Sequence, residues 1–158
     1  MFEKLVVIAF FVIAIVPVFA QKGVYSSTNK KAVCLYEKGM RCYYSNDISG
    51  AENKFKKSVK VDSLFAEPNI MLGELYDERN IDSIACIYYY CAMNANPSYY
   101  TIVWYKIGEL EFNQKHYTEA MEAYRKFLAL DKNNKDLHDK VEKKLKSITS
   151  QRIDESDK

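Results

Sequence analysis

Histidine is almost missing from this chain. Two stand among its 158 residues, His116 and His138, and neither has a nucleophile and a carboxylate at a local spacing that would assemble a catalytic group. No catalytic residue and no cofactor are therefore expected. Cysteine is also sparse: Cys34 and Cys42 lie eight apart, Cys86 and Cys91 five apart, and no spacing among them resembles a metal site. Neither spacing lets two sulfurs of one straight helix meet. Bridges between helices and a role as small apolar fillers both stay open. Charge of one sign is lacking too. A net charge of +2 gives no reason to expect nucleic acid as a partner.

Only five glycines occur, and three of them are in phase. Gly39, Gly73 and Gly108 recur 34 and then 35 residues apart, as do Ala51, Ala85 and Ala120, and Phe55, Tyr89 and Tyr124. Small residues in helical register at a period of about 34 indicate a solenoid of helix pairs. In each unit the glycine falls late in a first helix and the alanine early in a second. Two antiparallel helices approach closely only where neither carries bulk, and the ring four residues after each alanine fills the space beside that contact. Roughly three stacked units are needed before such a chain buries enough surface to be stable, and three are present.

The stretch from Ala66 to Pro97 resembles a tetratricopeptide repeat (TPR), with Leu72, Gly73, Tyr76, Ala85, Tyr89, Ala92 and Pro97 on the expected positions and Asn69 where a large apolar residue is usual. The first copy carries Leu35, Gly39, Ala51, Phe55 and Ser58, and departs at Lys38, Cys42 and Ser63. The third carries Trp104, Ile107, Gly108, Ala120 and Tyr124, and departs at Glu111, Phe127 and Lys132. The resemblance implies an all-α, right-handed α-solenoid of three helix pairs, with repeats at about 32–65, 66–99 and 101–134, a capping helix at 135–150, and a habit of binding proteins.

The amino terminus is of another kind. Met1 to Lys4 is short and weakly basic, Leu5 to Val16 is an unbroken apolar run, Pro17 breaks it, and Val18-Phe19-Ala20 suits a signal peptidase. Residues 1–20 read as a signal peptide cleaved after Ala20, giving an exported protein with no integral membrane span. A retained anchor is the alternative, but Leu5 to Ala20 would span only ~24 Å as a helix against a hydrocarbon core of ~30 Å. No cysteine stands near the cleavage point for lipid attachment. Roughly 138 residues then remain, a usual size for one core.

Helices are expected near 30–45, 48–61, 67–79, 82–95, 99–113 and 117–130, with turns at Asn46-Asp47, Asn80 and Lys115-His116. Residues 21–29 form a polar leader in which Thr28 or Asn29 caps the first helix. Pro68 falls in a first helical turn, and Pro97 follows a helix end. In the seventh helix Leu137, Val141, Leu145 and Ile148 share one stripe, as suits the end of a solenoid. Residues 151–158 are polar and expected to be disordered.

Helical spacing assigns a partner-binding groove to the first helix of each pair: Val33, Tyr36, Met40 and Tyr43, then Glu67, Ile70, Glu74 and Asp77, then Ile102, Tyr105, Glu109 and Phe112. Such a groove is aromatic at both ends and acidic in the middle, and its complement is a protein or peptide segment with apolar and basic residues. For each ring, packing within the core is the competing reading, and Glu74, Asp77 and Glu78 equally suit a solvated helix face. Chaperone-binding relatives hold a terminal carboxylate with Lys and Asn. Here Tyr36, Met40, Glu74 and Asp77 take comparable places, which argues against that ligand.

Lys54, Lys56, Lys57 and Lys60 give the second helix a basic outer face, ordinarily a solvated surface. Asp62-Ser63-Leu64 and Asp82-Ser83-Ile84 match a three-residue O-glycosylation acceptor, and turn or cap roles explain both serines as well. The Ala-Gln signal end, the polar leader, the KKAVCLYEKG segment and the extra residue before the third repeat are similar to the amino-terminal module of certain cell-envelope proteins. In those, a β-propeller and an OmpA-like domain follow, and some members serve type IX secretion or gliding. That resemblance implies an adaptor or scaffold in the bacterial periplasm or outer-membrane assembly. The alternative is a structural or self-associating envelope protein acting through its solenoid ends or basic face.

Overall fold

Each glycine of the repeat lies beneath an aromatic ring of the partner helix. In the computed structural model, which describes the backbone of residues 25–156 and the side chains of residues 25–150, a Cβ on Gly39 would stand 2.5 Å from Phe55, one on Gly73 2.5 Å from Tyr89, and one on Gly108 2.5 Å from Tyr124. No other residue permits that approach without moving the ring. Phe55, Tyr89 and Tyr124 are fully buried, as are Ala51, Ala85, Ala92 and Ala120, with Tyr76 and Trp104 nearly so. The expected signal peptide, its cleavage point and residues 21–24 of the leader lie outside the described residues.

Seven helices make up the described chain: α1 (Lys30–Tyr44), α2 (Ile48–Val61), α3 (Ala66–Asp77), α4 (Asp82–Ala95), α5 (Ile102–Asn113), α6 (Tyr117–Leu130) and α7 (Lys135–Ser156). They pack as antiparallel pairs α1/α2, α3/α4 and α5/α6, each pair resting on the next, with α7 against α6. The fold is an all-α solenoid. One apolar cluster runs from α3 to α7, centred on Tyr89, Ile107, Tyr124, Phe127 and Val141. A smaller one joins α2 and α3 through Ala51, Phe55, Leu72 and Leu75.

The turn inside each pair is built the same way. Asn46, Asn80 and Lys115 take left-handed backbone angles, with φ of 62°, 56° and 63°. The next residue's N–H then bonds back to a carbonyl five residues earlier: Asp47 to Cys42, Ile81 to Tyr76 and His116 to Glu111, all at 2.9 Å. This is the helix-ending arrangement that usually recruits glycine; asparagine tolerates it, and lysine bears the steric cost. At α1 it is Asn29 that caps, accepting from the N–H groups of Lys31 and Ala32.

Three boundaries differ from those expected. α3 stops at Asp77, because Glu78 to Asn80 are used by the turn. α5 starts at Ile102 and not at 99: Asn96 holds the preceding turn through the N–H groups of Ser98 and Tyr99, and the Trp104 indole donates to the Pro97 carbonyl at 3.0 Å. α7 runs to Ser156, six residues into the stretch expected to be disordered, since no glycine or proline follows Lys135 to break it. The four cysteines are free thiols. Cys86 alone is buried, while Cys34 and Cys91 are exposed, so the filler role fits Cys86 and not those two.

Candidate functional site

The first helices of successive pairs meet side by side, and between α1 and α3 they leave a cleft of about 350 Å³. Its lining is Tyr36, Met40, Tyr43 and Tyr44 from α1, Glu67, Ile70, Met71 and Glu74 from α3, and Tyr100 from the turn before α5. Helical geometry explains the set: residues spaced three and four apart share a face. The Tyr36 ring stands 5.8 Å from Phe55 and 5.3 Å from Phe65, so it is fixed in place. Tyr44 and Tyr100 are instead 70% and 53% exposed, and together they present aromatic surface beside the cleft.

The leader forms one edge of this site. The Tyr25 ring lies 5.6 Å from Tyr36 and 6.0 Å from Phe65. Ser26 donates to Glu67 through its N–H at 2.9 Å and through its hydroxyl, which also accepts from the N–H of Ala66 at 2.9 Å. Ser27 bonds Asp62. A third donor to Glu67, at 2.7 Å, is the Tyr99 hydroxyl. Glu67 is thus a buried tie between leader, α3 and the α4–α5 turn as well as a wall of the cleft. Burial, together with the Glu67 carboxylate, raises the Tyr36 hydroxyl above its ordinary range, so that ring stays neutral.

Further along, the expected groove is closed by lysines. Lys106 of α5 reaches Glu74 at 2.7 Å and Asp77 at 3.9 Å, which neutralises much of the acidic middle. Its ammonium also sits over the Tyr89 ring at 5.8 Å. Burial, together with the carboxylates of Glu74 and Asp77, raises the Tyr89 hydroxyl. The carboxyl-terminal aromatics are covered by α7. Lys140 donates to the Tyr105 hydroxyl at 2.7 Å, and Lys144 lies over the Phe112 ring at 4.1 Å and 3.6 Å from Glu109. Glu109 also takes the Tyr124 hydroxyl. A groove aromatic at both ends and acidic in the middle is therefore not what the chain builds. Among the described residues a cleft lined by aromatic rings opens at the first junction.

Of the twelve residues assigned to the groove, Tyr36, Met40, Tyr43, Glu67, Ile70 and Glu74 come together around the cleft. Asp77, Tyr105, Glu109 and Phe112 are engaged by lysines, Ile102 packs against the larger core cluster, and Val33 is half-buried on α1 outside the cleft lining. Sequence reasoning missed Tyr44, Met71, Tyr100, Lys106, Lys140 and Lys144. Met71, Lys106 and Lys140 step by 35 and 34 residues, so the repeat period itself carried a signal for three of them.

On the outer face, Lys56 pairs with Glu52 at 2.7 Å while Lys57 and Lys60 are exposed. Ser63 and Ser83 are exposed as well. Among the described residues no group of His, Cys, Asp and Glu is arranged to hold a metal ion, and no helix is long and apolar enough to cross a membrane.

Residues 102–134 match the tetratricopeptide repeat family. Solved structures extend the likeness over the whole solenoid. The first TPR of Spaghetti (RPAP3), bound to the HSP90 peptide SRMEEVD, is 22% identical with a TM-score of 0.62, over 78% of this chain and 94% of that one. The Yersinia enterocolitica type III secretion chaperone SycD, in complex with a peptide of the translocator YopD, is 17% identical with a TM-score of 0.63, over 76% and 93%. MamA is 18% identical with a TM-score of 0.64, over 77% of this chain and 64% of that protein. At these identities the likeness is one of fold. No curated protein matches the chain by sequence.

Proposed function

We propose that this protein is a non-catalytic protein-interaction module whose partner segment lies on the face formed by the first helices of its pairs. The observation that carries the reading is the 350 Å³ cleft on that face, rimmed by the exposed rings of Tyr44 and Tyr100. Exposed aromatics around an apolar recess are what interfaces use as anchors. Two of the solved structures of like fold hold peptides, which supports the same use here. A terminal-carboxylate ligand is disfavoured: Lys106 is committed to Glu74 and Asp77.

The residues 1–20 pattern supports export, and with the leader and three in-phase repeats it supports an adaptor role in the bacterial periplasm or outer-membrane assembly. Amino-terminal sequencing of the protein recovered from the cell envelope should begin at Gln21; recovery of the uncleaved chain would refute export by signal cleavage.

The decisive experiment is crosslinking in cells followed by purification, with wild type beside a Tyr44→Ala, Tyr100→Ala variant of unchanged helicity. A defined partner captured by the wild type and lost by the variant supports the reading. Equal capture by both, or capture of further copies of the chain alone, would instead favour self-association through solenoid ends or the basic outer face.

A further inference from the structure

The positions that line the junctions fall into columns that step by 34 or 35 residues: Phe55, Tyr89 and Tyr124; Met40, Glu74 and Glu109; Met71, Lys106 and Lys140. At the second and third junctions the columns are polar and closed. Lys106 meets Glu74 at 2.7 Å, the Tyr124 hydroxyl meets Glu109, and Lys140 and Lys144 cover Tyr105, Glu109 and Phe112. At the first junction every member is apolar, Phe55 beneath and Met40 and Met71 above, and there the cleft opens.

The difference decides what each junction does with an incoming side chain. A junction closed by an ion pair offers a ligand little: inserting an apolar group would strand two charges. An apolar recess open to water gains when filled, because apolar surface leaves solvent. Its volume sits at the small end for ligand pockets, which run from about 300 to 1,000 Å³, and so suits one or two large side chains. Methionine is the lining residue that adapts most readily to varied apolar shapes. Charge adds a second requirement. Among the described residues the donors that reach Glu67, the Ser26 N–H and hydroxyl and the Tyr99 hydroxyl, are neutral, so none of them offsets the charge of a carboxylate on the cleft wall.

Resting on the protein-binding reading above, we infer that an extended segment of a partner protein docks at the first junction alone. A side chain of Leu, Met or Phe size enters between Met40 and Met71, and a neighbouring Lys or Arg lies beside Glu67.

The test uses a phage-displayed random dodecapeptide library selected in parallel on the wild type and on Met40→Glu, Met71→Lys, which installs the ion pair of the second junction at the first. The wild type should enrich peptides with a large apolar residue next to Lys or Arg, and synthetic copies should bind the folded double variant at least tenfold more weakly. Methyl NMR of ε-labelled methionine makes the outcome independent of that variant's folding: added peptide should shift Met40 and Met71 and leave Met93 and Met121 in place.

Enriched peptides that bind both proteins equally, or that shift Met121 instead, would overturn the cleft assignment while leaving protein binding intact. Peptides lacking a basic residue would overturn the charge requirement. Failure of the wild type to enrich any peptide would overturn the binding reading itself. Met40 and Met71 shifts that depend on the presence of residues 1–24, or on protein concentration, would replace the partner by the chain's own amino terminus or by a second copy.

Discussion

The first and second junctions of the solenoid join equivalent helices, yet they put their polar ties on opposite sides. At the first, Glu52 of α2 accepts from Tyr76 of α3 and Arg79 of the turn after it and pairs with Lys56, each at 2.7 Å, while the groove side holds Met40 and Met71. At the second, the position of Glu52 is taken by Cys86, whose sulfur accepts from Gln114 at 3.7 Å, and the charges stand on the groove side as Glu74 and Lys106. Partly exposed ion pairs contribute about 1 kcal/mol at most, so neither tie supplies much of the stability. What the ties do is set register and polarity. Where the tie sits on the outer side, the inner side is left apolar and open.

Inside the pairs nothing of the kind varies, and the largest effect is expected there. Tyr124→Ala should lose about 4 kcal/mol in denaturant unfolding, since it empties a fully buried site beneath Gly108; a loss under 1 kcal/mol would mean the ring is not the keystone of its pair.

Next comes the outer tie of the first junction. Burial would raise Glu52, but hydrogen bonds from Lys56, Tyr76 and Arg79 outweigh it and hold the carboxyl at about 2, against an ordinary 4.5. A lowered folded value means that the contribution is complete above the unfolded value and is lost as pH falls from 4.5 towards about 2. Glu52→Gln should therefore cost about 0.5–1 kcal/mol at pH 7, discounted for its exposed partners. The gap in melting temperature between variant and wild type should narrow through that acid range, and a constant gap would refute the assignment.

A smaller change probes the second junction. Lys106→Met, which copies Met71 onto the next repeat, should alter stability by less than about 1 kcal/mol and make the second junction accessible to the peptides that bind the first. Should it unfold the protein, the tie at Glu74 matters more than its exposure implies. The smallest effect belongs to the turns: Lys115→Gly should stabilise by about 0.5–1 kcal/mol by relieving a left-handed lysine, and a destabilised variant would show that the turn is not strained.

Thiol reactivity offers a check on packing that needs no variant. Burial and the nearby Glu111 push the Cys86 thiol up to about 12, so iodoacetamide should label Cys34 and Cys91 at pH 8 well before Cys86. Early labelling of Cys86 would mean that the α4–α5 contact opens readily.

The pairs were legible because a helix pair is made by residues close in sequence. Gly73, Ala85 and Tyr89 lie within one repeat, and their spacing already implies who touches whom. The three turns were legible for the same reason, through Asn46, Asn80 and Lys115. Half of the groove was not. Helical spacing placed Tyr36, Met40 and Glu74 on the right face, but it could not show that Glu67 would be taken by Ser26 from 41 residues away. Nor could it show that α7 would bring Lys140 and Lys144 over Tyr105 and Phe112. Those contacts join different repeats and depend on how one pair is rotated on the next.

By itself, the sequence determined a helical solenoid, the number of its pairs and the close contact within each pair, because period and residue size act locally along the chain. The tertiary structure alone decided that a cleft opens at the first junction while lysines cover the groove side of the next two. A side chain's availability depends on which distant charge or ring reaches it first, and only the stacking of one pair on the next sets those distances.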